Sequence, residues 1–286
     1  MTMPPDGTTG TYGASRSERR RAGLARFVPP VLVLAGVVLA WYGVTYLLLD
    51  PHRRFLLRPP HQVIEVGFAD WENLSEILTG AWVTTQVAAT GLVLAVLIGV
   101  VVAVAMSRAP WVEHSLYPYA VALQAVPILA IVPLIGMWFG YGFGARVVVC
   151  VIISLFPIIA NTLFGLLSVP PQLHDLFSLH RAPPRSRLLK LQLPHALPAF
   201  FTGLRISVGL AVVGAIVGDF FFRQGRPGLG QLIDRYGARL RSEELIAAII
   251  IASLIGIVAF WLVGVVQRRV VGHWYREARP VDTHPV

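Results

Sequence analysis

Charged side chains are scarce in this chain, because only 14% of its residues are Asp, Glu, Lys or Arg while 55% are hydrophobic. A soluble domain of 286 residues needs a far more polar surface than this, so the composition excludes an ordinary soluble protein. The mean hydropathy of +0.66 points the same way. We therefore predict an integral membrane protein.

Cysteine and lysine are almost absent. Cys150 is the only cysteine and lies inside an apolar run, which excludes an intrachain disulfide and a cysteine-ligated metal site. Lys190 is the only lysine, and no glycine stands before it at the spacing of a phosphate-binding loop. The eight histidines show no metal-ligand spacing. We therefore expect no catalytic residue, no metal and no cofactor in this chain.

Long apolar segments are what the chain does have. Each approaches or exceeds the ~20 residues that a helix needs to cross ~30 Å of hydrocarbon. The runs are continuous and do not alternate, which favours helices over the strands of a barrel. We predict an all-α membrane protein with six transmembrane helices, at residues 27–49, 78–106, 117–143, 147–167, 196–222 and 245–266.

The segments between these spans predict four regions. The first apolar run is longer than the core of a signal peptide and no small-residue cleavage site follows it, so we interpret it as an uncleaved helix. The regions are a disordered basic tail (1–26), the first helix with its outer loop (27–77), a core domain of five helices (78–267) with a long loop at 169–195, and a second tail (268–286).

The positions of the basic residues predict the orientation. If the N-terminus is inside, the inner segments carry more lysine and arginine than the outer loops, although residues 223–244 are basic too. We therefore predict a multi-pass inner-membrane protein with both termini in the cytoplasm. The net charge of +9 does not predict a nucleic-acid partner, because the basic residues stand at the ends of apolar runs and not in one stripe.

Polar residues and prolines within the spans are candidates for a transport pathway. Asp219 and Arg205 lie fourteen residues apart in the fifth span, or ~21 Å along a helix, so we place them near opposite interfaces. Asp219 lines the outer mouth of a pathway, or both charges simply reach toward water. Gln124 could contact a substrate or a neighbouring helix, and Pro127 and Pro133 could kink the third span along the path or serve packing alone.

Small residues in the fifth span predict close helix packing. Gly214 and Gly218 stand four residues apart, a spacing that lets a neighbouring helix approach the backbone. We interpret this pair as a packing feature.

The longest predicted inner loop carries a family resemblance. Its sequence, LHDLFSLHRAPPRSRLLKLQLPHALPAFFTGLRIS (Leu173–Ser207), resembles the signature loop of the permease subunits of binding-protein-dependent ABC importers. Leu193 and Pro194 match the Leu-Pro that closes this loop in the family. Two further stretches, 121–142 and 156–169, resemble the nitrate, sulfonate and taurine branch, and most of all its members for thiamine-pyrimidine precursors.

The beginning of the loop departs from the family pattern. Asp175 stands where the family has glutamate, and Leu176 and Phe177 replace two alanines. Arg181 stands at the position of a glycine. If that position has a left-handed backbone, an arginine there costs about 1–2 kcal/mol or forces another turn. The subunit could therefore be the degenerate half of a heterodimer of permeases, or one of two identical copies in a homodimer.

The resemblance implies a fold, partners and a contact surface. It implies a type I importer permease that works with a second permease copy or a homologous permease, an ATP-binding subunit that carries ATP-Mg, and an extracytoplasmic substrate-binding protein. It also implies that the loop forms a coupling helix that docks on the ATPase, while its basic residues could equally meet membrane lipid headgroups. The residues assigned to coupling are Leu173, Asp175, Leu176, Phe177, Arg181, Arg185, Leu188, Leu193 and Pro194.

The residues are also compatible with two other functions, a secondary transporter and a membrane scaffold. A secondary transporter would need a row of buried charges or inverted repeats, and neither is evident. A membrane scaffold could recruit a soluble partner through the same loop.

Overall fold

The computed structural model describes residues 16–272, and side chains from residue 28 onward. These residues form eleven α-helices: α1 (Arg16–Gly43), α2 (Pro60–Val63), α3 (Trp71–Arg108), α4 (Pro110–Ala125), α5 (Ile128–Phe139), α6 (Phe143–Leu167), α7 (Pro171–Leu179), α8 (Pro184–Arg187), α9 (Leu193–Phe221), α10 (Leu229–Ala238) and α11 (Ser242–Val271). Short π-helical turns continue α1, precede α3 and precede α9. The predicted tail at 268–286 lies largely outside the described residues, as does most of the predicted tail at 1–26.

The chain divides into two units, one up to Gln62 and one from Val63. In the first unit, the apolar stretch Val28–Leu48 is long enough to cross a membrane. The segment after it folds back on its end, because Trp41 Nε1 donates to the Arg58 carbonyl at 3.0 Å. Tyr42 stacks on His61 in the same return.

The second unit contains the remaining spans. Helices α3, α6, α9 and α11 are each long and apolar enough to cross a membrane, so the described residues hold five such helices with the one in the first unit. The bent pair of α4 and α5 gives a sixth if it is counted as one span. The prediction of an all-α membrane protein is confirmed.

The third predicted span is not one helix. Helices α4 and α5 meet at an angle of 102°. The break falls at Val126 and Pro127, where the ring of Pro127 disfavours helical geometry in the residue before it; Val126 accordingly has ψ of 125°. Pro133 lies inside α5 without ending it.

The interval between the third and fourth predicted spans, residues 144–146, is not a loop as those spans implied. These residues form the first turn of α6, which begins at Phe143. Arg146 is therefore part of a membrane helix, and it is almost fully buried.

Helices α6 and α9 pack antiparallel at very short range. A Cβ added at Gly214 would lie 2.9 Å from Cys150 Cα, and one added at Gly218 would lie 3.1 Å from Arg146 Cα. Further along, the Ser207 hydroxyl donates to the Ser154 carbonyl at 2.7 Å. The predicted packing role of the two glycines is confirmed, because a Cβ at either position would crowd the backbone of α6.

Candidate functional site

The predicted coupling loop contains one regular helix, α7. Pro171 occupies its first turn, where the missing N–H is not needed. At its end the Ala182 N–H donates to the Phe177 carbonyl at 3.0 Å and the Arg181 N–H donates to the Ser178 carbonyl at 2.9 Å. This pair of bonds is the Schellman motif, which requires a left-handed residue after the helix.

Arg181 supplies that left-handed residue. Its φ is +48°, in the region that favours glycine. The chain therefore keeps the backbone turn expected at the family's glycine position. The arginine side chain makes this left-handed conformation less favourable than it would be for glycine. The Arg187 guanidinium donates to the Ser178 hydroxyl at 2.9 Å, which ties the segment after the turn back to α7.

The residues assigned to coupling differ in exposure. Five of them are exposed: Leu173, Asp175, Leu176, Arg181 and Arg185. Phe177 and Pro194 are half-buried. Leu188 is buried beside Met106 and Leu163, and Leu193 packs against the same cluster. The exposed residues are available to a partner, whereas Leu188 and Leu193 anchor the segment to the helix bundle.

A cleft of about 430 Å³ lies between the bent α4–α5 pair and helices α6 and α9. Gln124 is the one polar side chain among its lining residues, beside apolar groups such as Phe156 and Leu210. Two of the predicted pathway residues belong to this region, since Gln124 faces the cleft and Pro127 forms the bend that shapes it. Pro133 and Asp219 are not among the lining residues. Their role in a pathway stays a prediction.

Asp219 lies instead in a buried ion pair. Its Oδ1 is 2.9 Å from Arg146 Nη1, and neither side chain is more than 2% exposed. The Thr84 hydroxyl donates to Asp219 Oδ2 at 2.8 Å. The same hydroxyl accepts from the Leu229 N–H at 2.8 Å, so the pair is joined to α3 and to the start of α10.

The other nitrogens of Arg146 hold the segment after α9. Nε and Nη2 donate to the Phe222 carbonyl at 3.1 and 2.7 Å. Nη2 also donates to the Gln224 carbonyl at 3.0 Å, and Nη1 donates to the Arg226 carbonyl at 3.1 Å. A buried charge is tolerated when it is both paired and hydrogen-bonded, and this guanidinium is both. We call Thr84, Arg146 and Asp219 with these carbonyls the distal network, since it lies at the end of α6 and α9 opposite α7.

Sequence reasoning missed Arg146. It was counted as a loop residue because an arginine at the start of an apolar run normally reaches toward water. A signal was present in Asp219, a carboxylate inside a span, which calls for a cation nearby.

A second group of polar contacts joins α3 to α10 and α11 near the distal network. Arg235 pairs with Glu76 at 2.7 Å, and the Tyr236 hydroxyl donates to the other oxygen of Glu76 at 2.6 Å. Burial, followed by this hydrogen bond to a carboxylate, raises the pKa of Tyr236. Arg241 donates to Glu244 and to Asn73. Several arginines of the basic 223–244 segment are thus paired within the chain.

The described residues offer few side chains that could bind a metal ion together. No group of three or more His, Cys, Asp or Glu side chains in residues 16–272 is placed to hold a metal ion. The chemistry available is therefore that of an apolar cleft, a buried ion pair and an exposed short helix. This arrangement can shape a passage and contact partners.

Comparison with known proteins agrees with this arrangement. Residues 95–272 match the family model for the binding-protein-dependent transport system inner membrane component. The chain is 34% identical over 240 residues to a probable ABC transporter permease protein of Haemophilus influenzae, covering 82% of this chain and 94% of that protein. It is 36% identical over 208 residues to the formylaminopyrimidine transport permease protein of Halalkalibacterium halodurans, covering 72% and 81%.

A further sequence relative and a solved structure also match the chain. The taurine transport system permease protein of Escherichia coli is 30% identical over 262 residues, covering 86% of this chain and 89% of the relative. A solved inward-facing structure of the MetNI methionine ABC transporter matches with a TM-score of 0.62 at 18% identity, covering 70% of this chain and 99% of that one. The predicted type I importer permease fold is confirmed.

These findings decide between the functions weighed from the sequence. They support a transport subunit whose ATP hydrolysis resides on a separate chain, and they replace the alternatives of a secondary transporter and a membrane scaffold. The chain belongs to the family of binding-protein-dependent transport system inner membrane components, and it is the membrane-spanning permease subunit of an ABC importer for a small solute.

Proposed function

We propose that this permease passes a small, uncharged heterocycle of the thiamine-pyrimidine precursor type through the cleft that contains Gln124. One observation carries the proposal: the cleft is apolar, and its lining includes one amide and no cationic side chain. The predicted alternatives were nitrate, sulfonate or taurine-like anions.

The polarity of the cleft argues for the heterocycle. An anion that leaves water needs cations or several N–H donors to replace its hydration, and this lining offers one amide. A flat heterocycle has two apolar faces and a polar edge. The amide of Gln124 can donate to and accept from such an edge while the apolar groups contact the faces.

The relatives support the same substrate class. The formylaminopyrimidine permease is 36% identical to this chain, and a riboflavin transport system permease of Chloroflexus aurantiacus is 35% identical over 56% of this chain. The taurine permease is 30% identical, and a bicarbonate permease of Synechocystis is 28% identical.

Uptake by the reconstituted importer tests this proposal. The chain, its ATPase and its binding protein are placed in vesicles, and ATP-dependent uptake of labelled formylaminopyrimidine and labelled taurine is measured. We expect uptake of the heterocycle, reduced about tenfold by Gln124→Leu, which is the worth of about one hydrogen bond. The matched control is Gln224→Leu, because the Gln224 side chain is exposed and does not line the cleft. Uptake of taurine in preference to the pyrimidine would overturn the proposal.

The proposal includes contacts with partner subunits. The exposed face of α7 docks on the ATPase subunit, which carries ATP-Mg, and both termini lie in the cytoplasm. The substrate-binding protein docks on the opposite side, on a surface that includes residues 225–244. A second permease copy or a homologous permease completes the path. The exposed leucines of α7 and the burial of Leu188 support this arrangement, because the segment displays one apolar face and is anchored by another.

A further inference from the structure

An arginine of α9 lies against the second half of α11. The guanidinium carbon of Arg205 is 5.4 Å from the centre of the Phe260 ring. A Cβ added at Gly264 would lie 2.7 Å from Arg205 Nη2, so a side chain at this position would displace the guanidinium from its place on α11. The Arg205 side chain therefore packs against α11 at Phe260 and Gly264.

This guanidinium has no counter-ion in the part of the chain that the structure describes. None of its nitrogens has a hydrogen-bond or ion-pair partner there, and its Nε is buried. One turn along α11 from Gly264, the side-chain oxygen of Gln267 is also buried without a partner. A charge in a low-dielectric site is costly unless it is paired, so an anion from outside the chain fits here.

The position of Arg205 relative to the basic end of α11 suits contact with a lipid phosphate. Helix α11 ends with Arg268 and Arg269, about 6 Å along the helix axis beyond Gly264. Both arginines are exposed, as basic residues at a membrane interface are. Gly264, and with it the Arg205 guanidinium, thus lies about one turn from a basic rim, a spacing that a lipid phosphate below that rim can fit.

An apolar groove continues from this point along the two helices. Gly209 lies one turn from Arg205 on α9, and Gly256 lies one turn from Phe260 on α11. A Cβ added at either glycine would have no atom within 4 Å, so both leave open space. The resulting groove of about 300 Å³ is lined almost entirely by apolar side chains such as Val212 and Ile249.

We propose that Arg205 and this groove form a binding site for an anionic phospholipid, with the lipid phosphate on Arg205 and an acyl chain between Gly209 and Gly256. The two parts select the ligand together. A free anion would satisfy the guanidinium and leave the groove empty, whereas a lipid without a phosphate would fill the groove and leave the charge unpaired. A zwitterionic phospholipid would bring its own cation close to the guanidinium, which an anionic phospholipid does not. A phosphodiester headgroup joined to an acyl chain satisfies both.

Lipid retention by the intact importer tests the site. The importer is extracted in detergent from membranes that contain phosphatidylglycerol, and the lipid that stays bound is quantified by mass spectrometry. We expect Arg205→Gln to reduce bound phosphatidylglycerol about tenfold or more, the effect of losing a charge-assisted contact. Arg205→Lys should retain part of it. The control is Arg226→Gln, the same charge change at an exposed position beyond the opposite end of α9.

Two further measurements keep the test decisive. Gly256→Leu fills the open groove without touching the charge, so it should also lower bound phosphatidylglycerol even if Arg205→Gln folds poorly. In nanodiscs, phosphatidylglycerol added to phosphatidylcholine should raise the unfolding temperature of the wild type and not of Arg205→Gln. Stabilisation by inorganic phosphate in phosphatidylcholine alone would identify a free-anion site instead. Equal lipid retention by the wild type and both variants would overturn the proposal.

Discussion

The two ends of the α6–α9 pair use the same backbone device for different purposes. At the α7 end, Arg181 adopts a positive φ and closes the helix; beyond the other end, Leu240 adopts φ of +57° and closes α10 with the same pair of hydrogen bonds. Arg241, next to Leu240, is then held by Glu244 and Asn73. Residues next to Arg181 have no comparable charged contact.

The difference extends to other charged groups at the two ends. The distal network buries a paired Arg146 and Asp219, and Glu76 is paired with Arg235 beside it. In the α7 segment, none of Asp175, Arg181 and Arg185 forms an ion pair with any residue of the described range. An end whose polar groups are satisfied internally holds the helices together, whereas an end that displays charges and leucines is available to a partner.

The largest expected effect comes from breaking the distal network. Asp219→Asn leaves the buried Arg146 guanidinium without a full counter-charge, so we expect the unfolding free energy to fall by about 3–5 kcal/mol. Chemical unfolding in detergent measures this loss. Asp234→Asn is the control, because its pair with Arg223 is largely exposed and should change stability by about 1 kcal/mol or less.

The same variant distinguishes a structural role of Asp219 from a pathway role. If unfolding is unchanged and transport alone is impaired, the carboxylate acts on the solute path as the sequence suggested. A double variant, Arg146→Leu with Asp219→Leu, should recover only part of the lost stability. No uncompensated ion remains, but the carbonyls of Phe222, Gln224 and Arg226 lose the guanidinium that donates to them.

The next effect concerns the α7 end. Asp175→Lys reverses an exposed charge on the face that we propose to dock, so the affinity of the ATPase subunit should fall about tenfold while the permease remains folded. Co-purification and ATP-dependent uptake report this. Glu65→Lys is the control, since it makes the same charge change at an exposed position outside α7. Unchanged co-purification of the Asp175 variant would remove Asp175 from the docking surface.

A smaller effect is expected at Tyr236. Tyr236→Phe removes the hydrogen bond to Glu76 and should cost about 1–2 kcal/mol of unfolding free energy at neutral pH. Because burial raises the pKa of Tyr236 in the folded state, its contribution is complete below the ordinary tyrosine pKa of about 10 and is lost as the pH rises above it. The wild type should therefore lose stability faster than Tyr236→Phe in alkaline solution. Parallel pH curves for the two proteins would contradict this.

The smallest effect on stability is expected at the two residues with a left-handed backbone, Arg181 and Leu240. Arg181→Gly and Leu240→Gly each relieve a side chain at positive φ, so each should leave stability unchanged or raise it by about 1 kcal/mol at most. Uptake should be maintained in both. A severe loss of uptake in Arg181→Gly, with Leu240→Gly unaffected, would show that the arginine side chain itself makes a contact with a partner.

Individual residues show how far sequence reasoning reached. A left-handed turn at Arg181 was one of two outcomes expected from the glycine in the family pattern, the other being a different turn. The close packing at Gly214 and Gly218 was predicted from their spacing. The break before Pro127 was anticipated only as a kink, since a proline specifies that a helix is disturbed but its neighbours decide the angle. Arg146 was placed in a loop, because the helix boundary could not be read from an arginine beside an apolar run.

The sequence by itself determined that this chain crosses the membrane as helices and that it is an importer permease. Hydrocarbon thickness sets the length of each apolar run, and the Leu193-Pro194 ending of the loop is a local pattern. Only the tertiary structure decided that Arg146 pairs with Asp219 and that Arg205 has no partner in the described chain. Both outcomes depend on the register in which α9 meets α6 and α11. That register follows from many small contacts between distant residues, which no single stretch of sequence contains.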